Sequence, residues 1–243
     1  MIRRKRQIKY KIITISREFG SGGHSIGKAV AERLNIPFYD QILLEHIAIE
    51  TGFSQEFIKE AAEYATARNS LLFNLVMNRS LHGRTEPTPA DTIYIAQTKI
   101  ILELADKESC VIVGRCADYI LHERLDCLHV FICADSINRG QRILERYGAN
   151  EKPVQKRIED KDARRRIYYS HYTDRIWGAP QNYHLCLNSS ALGKKIVFKP
   201  SSVCLKVMEA VIGNGANNSS QAWNCFRSYR RSNQSHKSPI SYP

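Results

Sequence analysis

The chain has 243 residues, of which 43% are hydrophobic and 25% are charged, as in an ordinary globular domain. Its apolar runs are far shorter than the roughly 20 residues that a membrane span needs, so we expect no membrane-spanning segment. The net charge of +12 does not indicate nucleic-acid binding, because residues 1–11 and 214–243 carry most of this charge and hold no acid.

The first predicted elements surround a glycine-rich turn. Residues 11–16 (KIITIS) form a β-branched run that predicts a strand. The glycine-rich stretch 20–23 follows, and apolar residues at intervals of four predict a helix over residues 25–34. Residues 38–39 predict a second short strand, which ends at Asp40. The chain therefore opens with a strand, a turn, a helix and a strand.

The middle of the chain predicts a long helical segment and two more strands. Helical periodicity extends from residue 42 to about residue 81, residues 83–89 (GRTEPTP) predict an exposed loop, and residues 92–105 predict another helix. The apolar runs 110–113 (CVIV) and 129–133 (HVFIC) predict strands. Wholly apolar strands that alternate with helices are typical of a parallel sheet covered on both faces.

The remaining predicted elements are basic. Residues 136–147 predict an arginine-rich helix, residues 154–169 a very basic helix, residues 183–187 (YHLCL) a last strand, and residues 203–212 a final helix. After residue 213 the chain is rich in Asn and Ser without periodicity, which predicts disorder.

These elements predict one α/β domain over residues 12–213, between a basic extension (residues 1–11) and a polar, basic tail (residues 214–243). Seven cysteines without a C-x-x-C pair predict reduced structural thiols rather than a disulfide framework. No apolar segment of the secretory type follows the basic N-terminus. We therefore expect a cytoplasmic protein without a membrane partner.

The turn between the first strand and the first helix has the composition of an anion site. Its residues Gly20, Ser21, Gly22 and Gly23 leave backbone N–H groups accessible, and the helix N-terminus adds a positive field. Phosphate-binding P-loops use this arrangement, with the pattern G-x-x-x-x-G-K-[ST]. A simple turn would have a similar composition, so both interpretations stay open at this point.

A wider set of motifs resembles one family, the cytidylate kinase-like family of P-loop nucleoside monophosphate kinases. The matching segments occur in the expected order, at residues 13–40 (ITISREFGSGGHSIGKAVAERLNIPFYD), 111–118 (VIVGRCAD), 130–146 (VFICADSINRGQRILER) and 164–190. The resemblance implies a three-layer P-loop NTPase fold, α/β with a parallel sheet, a helical insertion at about residues 42–105 and an arginine-rich lid at about residues 148–180. It also implies ATP and Mg²⁺ as cofactors.

The P-loop pattern of this chain lacks its lysine. If Gly22 is the second glycine of the pattern, Gly23 occupies the lysine position. A second register over residues 22–28 ends in G-K but lies too far beyond the strand, so we prefer the first. Either Lys28, one turn into the helix, or Arg17, at the entrance of the loop, could supply the missing charge.

The resemblance places a nucleotide at this loop. The nucleotide-binding candidates are Arg17, Gly20, Ser21, Gly22, Gly23, His24 and Ser25. Ser25 is also the candidate for Mg²⁺, either directly or through water. The alternative for Ser25 is a simple helix cap.

The candidates for acceptor binding follow two other strands. Arg115 comes directly after an apolar strand, at the carboxyl end of the sheet where ligands bind in such folds. It resembles the Gly-Arg pair that contacts the acceptor nucleotide in cytidylate kinases. Asp40 matches an acceptor-site aspartate of related kinases, and its alternative role is to cap a helix. The family often has an acid after the arginine, whereas this chain has Cys116 and then Asp118, which leaves the acceptor base open.

Arginines in residues 157–166 (RIEDKDARRR) match the lid of this kinase class, where cations neutralise the transferred phosphoryl group. By resemblance the catalytic candidates are Arg157, Arg164 and Arg165, and Lys28 is a further candidate because it could supply the missing charge. The alternative for this segment is a solvated helix with surface salt bridges. Three further arginines are expected on the surface of the preceding helix: Arg139, Arg142 and Arg146.

These features predict an enzyme that transfers the γ-phosphoryl group of ATP to a nucleoside monophosphate, with CMP or dCMP first by resemblance. Two alternatives stay open. One is a P-loop kinase that acts on another small metabolite, and the other is a nucleotide-binding regulatory module without turnover, which the absent lysine would explain. Small nucleotides are the expected partners, and a monomer and a homodimer fit equally well.

Overall fold

The computed structural model describes residues 11–58 and 88–191. The strands in these ranges are β1 (Ile12–Arg17), β2 (Phe38–Tyr39), β3 (Cys110–Val113), β4 (Cys127–Cys133) and β5 (Leu185–Asn188). The helices are α1 (Gly23–Leu34), α2 (Gln41–Thr51), α3 (Pro89–Lys107), α4 (Ala117–Ile120), α5 (Ser136–Tyr147) and α6 (Val154–Thr173). Residues 55–58 are also helical, and Pro180–Asn182 form a 3₁₀ turn.

The five strands form one parallel sheet in the order β2-β3-β1-β4-β5. β1 lies in the centre, where Ile13 pairs with Val111 of β3 on one side and with Leu128 of β4 on the other. Because all the strands run the same way, their carboxyl ends lie along one edge of the sheet. This is the edge at which ligands bind in open parallel sheets.

Helices cover both faces of the sheet. Ile13 and Ile15 of β1 pack in one cluster with Ile26 and Val30 of α1. Ile12, which points to the opposite face, belongs to a second cluster with side chains of α2 and α3. Since successive side chains of a strand alternate between faces, β1 is buried by one helical layer on each side. The predicted three-layer α/β fold is therefore confirmed.

Several helix and strand ends differ from the prediction. α3 begins at Pro89 instead of residue 92, because Thr88 and Asp91 form a reciprocal cap: Asp91 N donates to Thr88 Oγ1 at 3.2 Å, and Thr88 N donates to Asp91 Oδ2 at 3.1 Å. Pro89 then occupies the first helical position, where its missing N–H costs nothing. α1 begins two residues earlier than predicted, at Gly23, and α6 extends four residues further, to Thr173.

Some predicted segments lie outside the described residues. These are residues 1–10 of the basic extension, residues 59–87 of the helical insertion, the helix at 203–212 and the tail at 214–243. In the two described ranges, no helix is both long enough and apolar enough to cross a bilayer. The five described cysteines are free thiols, of which Cys186 is half-buried and the other four are buried: Cys110, Cys116, Cys127 and Cys133.

Candidate functional site

A basic cavity of about 140 Å³ opens at the carboxyl edge of the sheet. Arg17 at the end of β1 and Arg115 after β3 line it, together with Lys161, Arg164 and Arg165 of α6. Among the described residues of the lining, Asp40 after β2 is the one acid. Five cations against one carboxylate make this cavity suited to a polyanion.

The loop that joins β1 to α1, residues 18–22, is called the β1 turn below. Gly20 and Gly22 have left-handed backbones, with φ of 79° and 83°. Gly22 is the N-cap of α1 and offers no side chain to the first helical N–H groups. These groups have no partner within a helix, and they carry the positive end of its dipole. The β1 turn therefore presents the N–H groups that an anion needs.

Two helices hold the β1 turn from outside. Phe19 N donates to Asp162 Oδ1 of α6 at 2.8 Å, and Phe19 O accepts a hydrogen bond from Arg139 Nε of α5 at 2.7 Å. The Arg139 guanidinium also pairs with Asp162 and lies 3.3 Å from Glu18 Oε2. Arg139 is only 7% exposed, so the prediction that it lies on the helix surface is wrong. Burial raises the pKa of Glu18, and the charge of Arg139 opposes this shift.

The two other arginines of α5 also contact the β1 turn and its helix. Arg142 Nη1 donates to Gly20 O at 2.5 Å, and Arg146 Nη1 lies 3.3 Å from Ser25 Oγ. Ser25 stands at the third helical position rather than at the cap, so its hydroxyl is not the N-cap of α1. The arginines of α5 thus surround the phosphate-binding candidates instead of facing only solvent.

The residues after β3, Gly114–Cys116, form a second turn, called the β3 turn below. All three have left-handed backbones: φ is 76° for Gly114, 57° for Arg115 and 54° for Cys116. Two such residues with side chains in succession are unfavourable and persist only when their surroundings hold them. Gln97 of α3, which is fully buried, supplies that support, because its Nε2 donates to Arg115 O at 2.7 Å. Arg115 Nη1 is buried without a hydrogen-bond partner in the described structure.

Asp40 faces two candidate residues of the β1–α1 region. It occupies the N-cap position of α2, but its side chain makes no capping hydrogen bond. Instead, Asp40 Oδ2 lies 3.3 Å from His24 Nε2, and Oδ1 lies 3.8 Å from Arg17 Nη2. Burial lowers the pKa of His24 and of Arg17, and Asp40 opposes both shifts.

The structure brings some of the predicted catalytic candidates to the cavity and leaves others outside. Arg164 and Arg165 line it, and Arg165 Nη1 donates to Arg17 O at 2.8 Å. Arg157 does not line it; its Nη1 donates to Gly148 O at 2.7 Å, just after α5. Lys28 is exposed on α1 and is also absent from the lining.

Sequence reasoning overlooked two contributors to this site. Lys161 lines the cavity one turn before Arg164 and Arg165, and this spacing on one helix was a usable signal. Gln97 carried no signal, because its contact with Arg115 crosses the fold.

Asp118, the first acid after Arg115, is buried and does not line the cavity. It is 2% exposed and accepts hydrogen bonds from Ser16 Oγ at 3.0 Å and Tyr169 Oη at 2.7 Å. Burial raises the pKa of its carboxyl group. Tyr168, Tyr169 and Trp177 line the cavity, so it offers aromatic surface in addition to Asp40.

The comparisons with known proteins identify the family and the fold. The model of the cytidylate kinase-like family matches residues 12–191. A solved structure of an uncharacterized protein from Eubacterium ventriosum is 28% identical, with a TM-score of 0.57, and covers 86% of this chain and 100% of that one. A shikimate kinase from Bacteroides thetaiotaomicron is 16% identical, with a TM-score of 0.48 and coverages of 82% and 96%. No curated protein matches the chain.

Proposed function

The chain belongs to the cytidylate kinase-like family of P-loop kinases, and we propose that it transfers the γ-phosphoryl group of ATP to a nucleoside monophosphate, with CMP or dCMP as the first acceptors to test. The observation that carries the proposal is the cavity in which five cations and one acid meet at the carboxyl edge of the sheet. Phosphoryl transfer needs such a site, because catalysis consists mainly of positioning and charge neutralisation.

The β1 turn and the first turn of α1 bind the phosphates of ATP in this proposal. The N–H groups of Gly23, His24 and Ser25 are the donors, since they have no partner within α1. Ser25 Oγ fits a Mg²⁺ ion that is held mostly by phosphate and water oxygens, as this ion prefers. The described residues hold no cluster of three acidic, His or Cys ligands, which agrees with such a nucleotide-borne ion. When bound, Mg²⁺ offsets the charge of the β- and γ-phosphates.

The acceptor lies on the other side of the cavity, between the β3 turn and Asp40. The buried and unpartnered Nη1 of Arg115 is the donor for the acceptor phosphate. Asp40 accepts a hydrogen bond from an acceptor hydroxyl group. The acceptor phosphate is already ionised at neutral pH, so no strong general base is required. The rings of Tyr168 and Trp177 offer a surface on which a base stacks.

α6 covers the transferred group. Lys161, Arg164 and Arg165 reach the cavity from one helix, and Arg165 also donates to the backbone of Arg17. Their charges neutralise the phosphoryl group during its transfer, and their side chains exclude water that would otherwise hydrolyse ATP.

One observation favours a second candidate, a P-loop kinase for a smaller metabolite. The cavity volume of about 140 Å³ is below the roughly 300–1,000 Å³ of ordinary small-molecule sites. In this arrangement a hydroxyl compound smaller than a nucleotide fits more readily.

The test is a coupled ADP-release assay with CMP, dCMP, UMP, AMP and GMP, and with a set of small hydroxy acids. We expect CMP or dCMP to stimulate ADP release most. The Arg115→Met variant should raise the acceptor KM about 10- to 100-fold, as for the loss of a charged hydrogen bond, and leave the KM for ATP unchanged. Arg166→Met, on the exposed side of α6, is the matched control.

Stimulation only by small hydroxy acids would support the second candidate. Binding of Mg²⁺-ATP in calorimetry without ADP release for any acceptor would support a regulatory module and contradict both kinase proposals.

A further inference from the structure

In the β1–α1 region, a cation and a glycine occur in the reverse of their order in the P-loop pattern. In G-x-x-x-x-G-K the first glycine stands five residues before the second and the lysine directly after it. With Gly22 as the second glycine, Arg17 occupies the position of the first glycine, and Gly23 occupies the position of the lysine. The cation therefore stands at the end of β1 instead of at the start of α1.

The geometry connects the two changes. A Cβ atom added to Gly23 would lie 2.5 Å from Arg17 Cβ and 2.9 Å from Arg17 Cγ. Carbon atoms that are not bonded to each other do not approach so closely. The stem of Arg17 therefore crosses the α-carbon of Gly23, and a side chain at position 23 and an arginine at position 17 exclude each other.

A second glycine makes room for the head of the same side chain. A Cβ atom at Gly114, in the β3 turn, would overlap Arg17 Nη1 and lie 3.1 Å from Cζ. Arg17 thus runs between the β1 turn and the β3 turn, with a glycine on each side. Its guanidinium lines the cavity together with Arg115 and Arg165.

Lys28, the other candidate for the missing cation, has a less suitable position. Lys28 is exposed on α1 and does not line the cavity. Arg17 Nη2, by contrast, lies 3.8 Å from the carboxylate of Asp40, and Arg17 O is fixed by Arg165.

We propose that Arg17 performs the task of the missing P-loop lysine, with its guanidinium on the β- and γ-phosphates of ATP, and that Gly23 is a glycine because the stem of Arg17 fills the space of a side chain there. This inference rests on the proposed kinase function. A guanidinium suits the task, because its planar set of donors binds two phosphate oxygens at once.

The test exchanges the two residues back. The variants are Arg17→Gly, Gly23→Lys and the double variant, which together restore the usual order of glycine and lysine. We expect Arg17→Gly to lower kcat about 100-fold, as for the loss of one electrostatic donor. Gly23→Lys alone should lower both the Tm and kcat, because its stem meets Arg17. The double variant should regain about tenfold in kcat over Arg17→Gly.

A variant without charge but with the same stem separates folding from phosphate binding. Arg17→Met should keep a Tm close to that of the wild type and weaken Mg²⁺-ATP binding more than Mg²⁺-ADP binding in calorimetry. A purely structural role would not change this ratio. Lys28→Met tests the competing cation in the same two measurements.

Three outcomes overturn the inference. The first is that Arg17→Met keeps the ATP-to-ADP affinity ratio and the kcat of the wild type. The second is that Arg17→Met raises only the acceptor KM, which would place Arg17 on the acceptor side. In both, ADP release by the wild type leaves the proposed kinase function standing. The third is no ADP release by the wild type with any acceptor, which ends both proposals.

Discussion

The β1 turn and the β3 turn leave neighbouring strands at the same edge of the sheet, and both use left-handed backbone. In the β1 turn, the residues with positive φ are glycines, Gly20 and Gly22. In the β3 turn, Gly114 is followed by Arg115 and Cys116, which adopt the same backbone region with side chains. Both turns require a left-handed backbone. The β1 turn uses glycines for it, whereas the β3 turn also uses two residues whose side chains disfavour this conformation.

The difference follows from what each turn presents to a ligand. The β1 turn presents backbone N–H groups, and glycine lets them approach an anion. The β3 turn presents the side chain of Arg115, so glycine cannot serve at that position. A left-handed residue with a side chain costs about 1–2 kcal/mol, and this cost is accepted where a guanidinium is required.

The two turns are also supported differently. Buried charges hold the β1 turn, through Arg139 of α5 and Asp162 of α6. A neutral amide holds the β3 turn, through Gln97 of α3. An unpaired charge in the interior costs more free energy than the loss of one hydrogen bond from a neutral amide. Removing the supporting side chain should therefore destabilise the protein more at the β1 turn than at the β3 turn.

The largest effect is expected from Arg139→Met. This change removes the nearest counter-charge of the buried Asp162 carboxylate and of the half-buried Glu18 carboxylate, so that Asp162 keeps only the more distant Arg165 Nη1 at 3.6 Å, and it removes the donor to Phe19 O. We expect the free energy of unfolding in urea to fall by about 3–5 kcal/mol, the usual cost of breaking a buried pair.

Arg142→Met is the matched control for this prediction. Arg142 lies on the same helix and also donates to a carbonyl of the β1 turn, Gly20 O. Its loss should cost about 1.5 kcal/mol, the lower end for one hydrogen bond of a charged group, because Arg142 is only half-buried. Equal losses in the two variants would show that buried charge does not hold this turn.

The next effect concerns acid sensitivity and a buried histidine that lies outside both turns. His129 of β4 is 3% exposed, its Nδ1 lies 2.8 Å from Thr14 Oγ1, and its ring stacks on His184. Burial lowers its pKa from 6.5 to about 4, and His184 adds to this shift. The unfolded chain therefore binds the proton more tightly, so this stability is complete above pH 6.5 and is lost as the pH falls toward 4.

The measurement is the free energy of unfolding between pH 7 and pH 4, for the wild type and for His129→Gln. We expect the wild type to lose about 3 kcal/mol more than the variant over this range, from the pKa difference. Parallel curves for the two proteins would mean that other groups, such as those of the β1 turn, set the acid sensitivity.

Much of the fold was predictable, because its signals are local. The apolar runs of β1, β3 and β4 and the four-residue spacing of Ile26 and Val30 in α1 reflect burial on a sheet. The start of α3 was misplaced because Thr88 and Pro89 were assigned to the exposed loop, although Thr88-x-x-Asp91 with proline at the first helical position is a capping-box pattern. Element ends depend on single hydrogen bonds, whereas element types depend on many residues.

The residues of the site were predictable only where they directly follow the strands of the parallel sheet, since their order in the chain then implies that they lie close together. Asp40 and Arg115 follow parallel strands, whose carboxyl ends must meet at one edge, and the structure places both in the cavity. The burial of Arg139 was missed, because its carboxylate partner Asp162 lies on another helix. The fit of Arg17 against Gly114 joins two separate turns, which no local pattern shows.

A smaller effect is expected at the support of the β3 turn. Gln97→Met keeps the length of the side chain but removes the donor to Arg115 O, which leaves a carbonyl without this partner. The free energy of unfolding should fall by about 1–3 kcal/mol, and the acceptor KM should rise because Arg115 is no longer held. Thr98→Val, one residue further on α3 with a bond only to its own helix, is the control and should leave the acceptor KM unchanged.

The smallest effect has the opposite sign and tests the strain of the β3 turn directly. Asn tolerates a left-handed backbone better than other residues with side chains, so Arg115→Asn should raise the free energy of unfolding by about 0.5–1 kcal/mol while the acceptor KM rises. Arg115→Met removes the same charge without relieving the backbone, so it should match the KM effect and gain no stability. If both variants have the same stability in urea, the turn is not strained at Arg115, and the contrast with the glycine-based β1 turn reflects ligand chemistry alone.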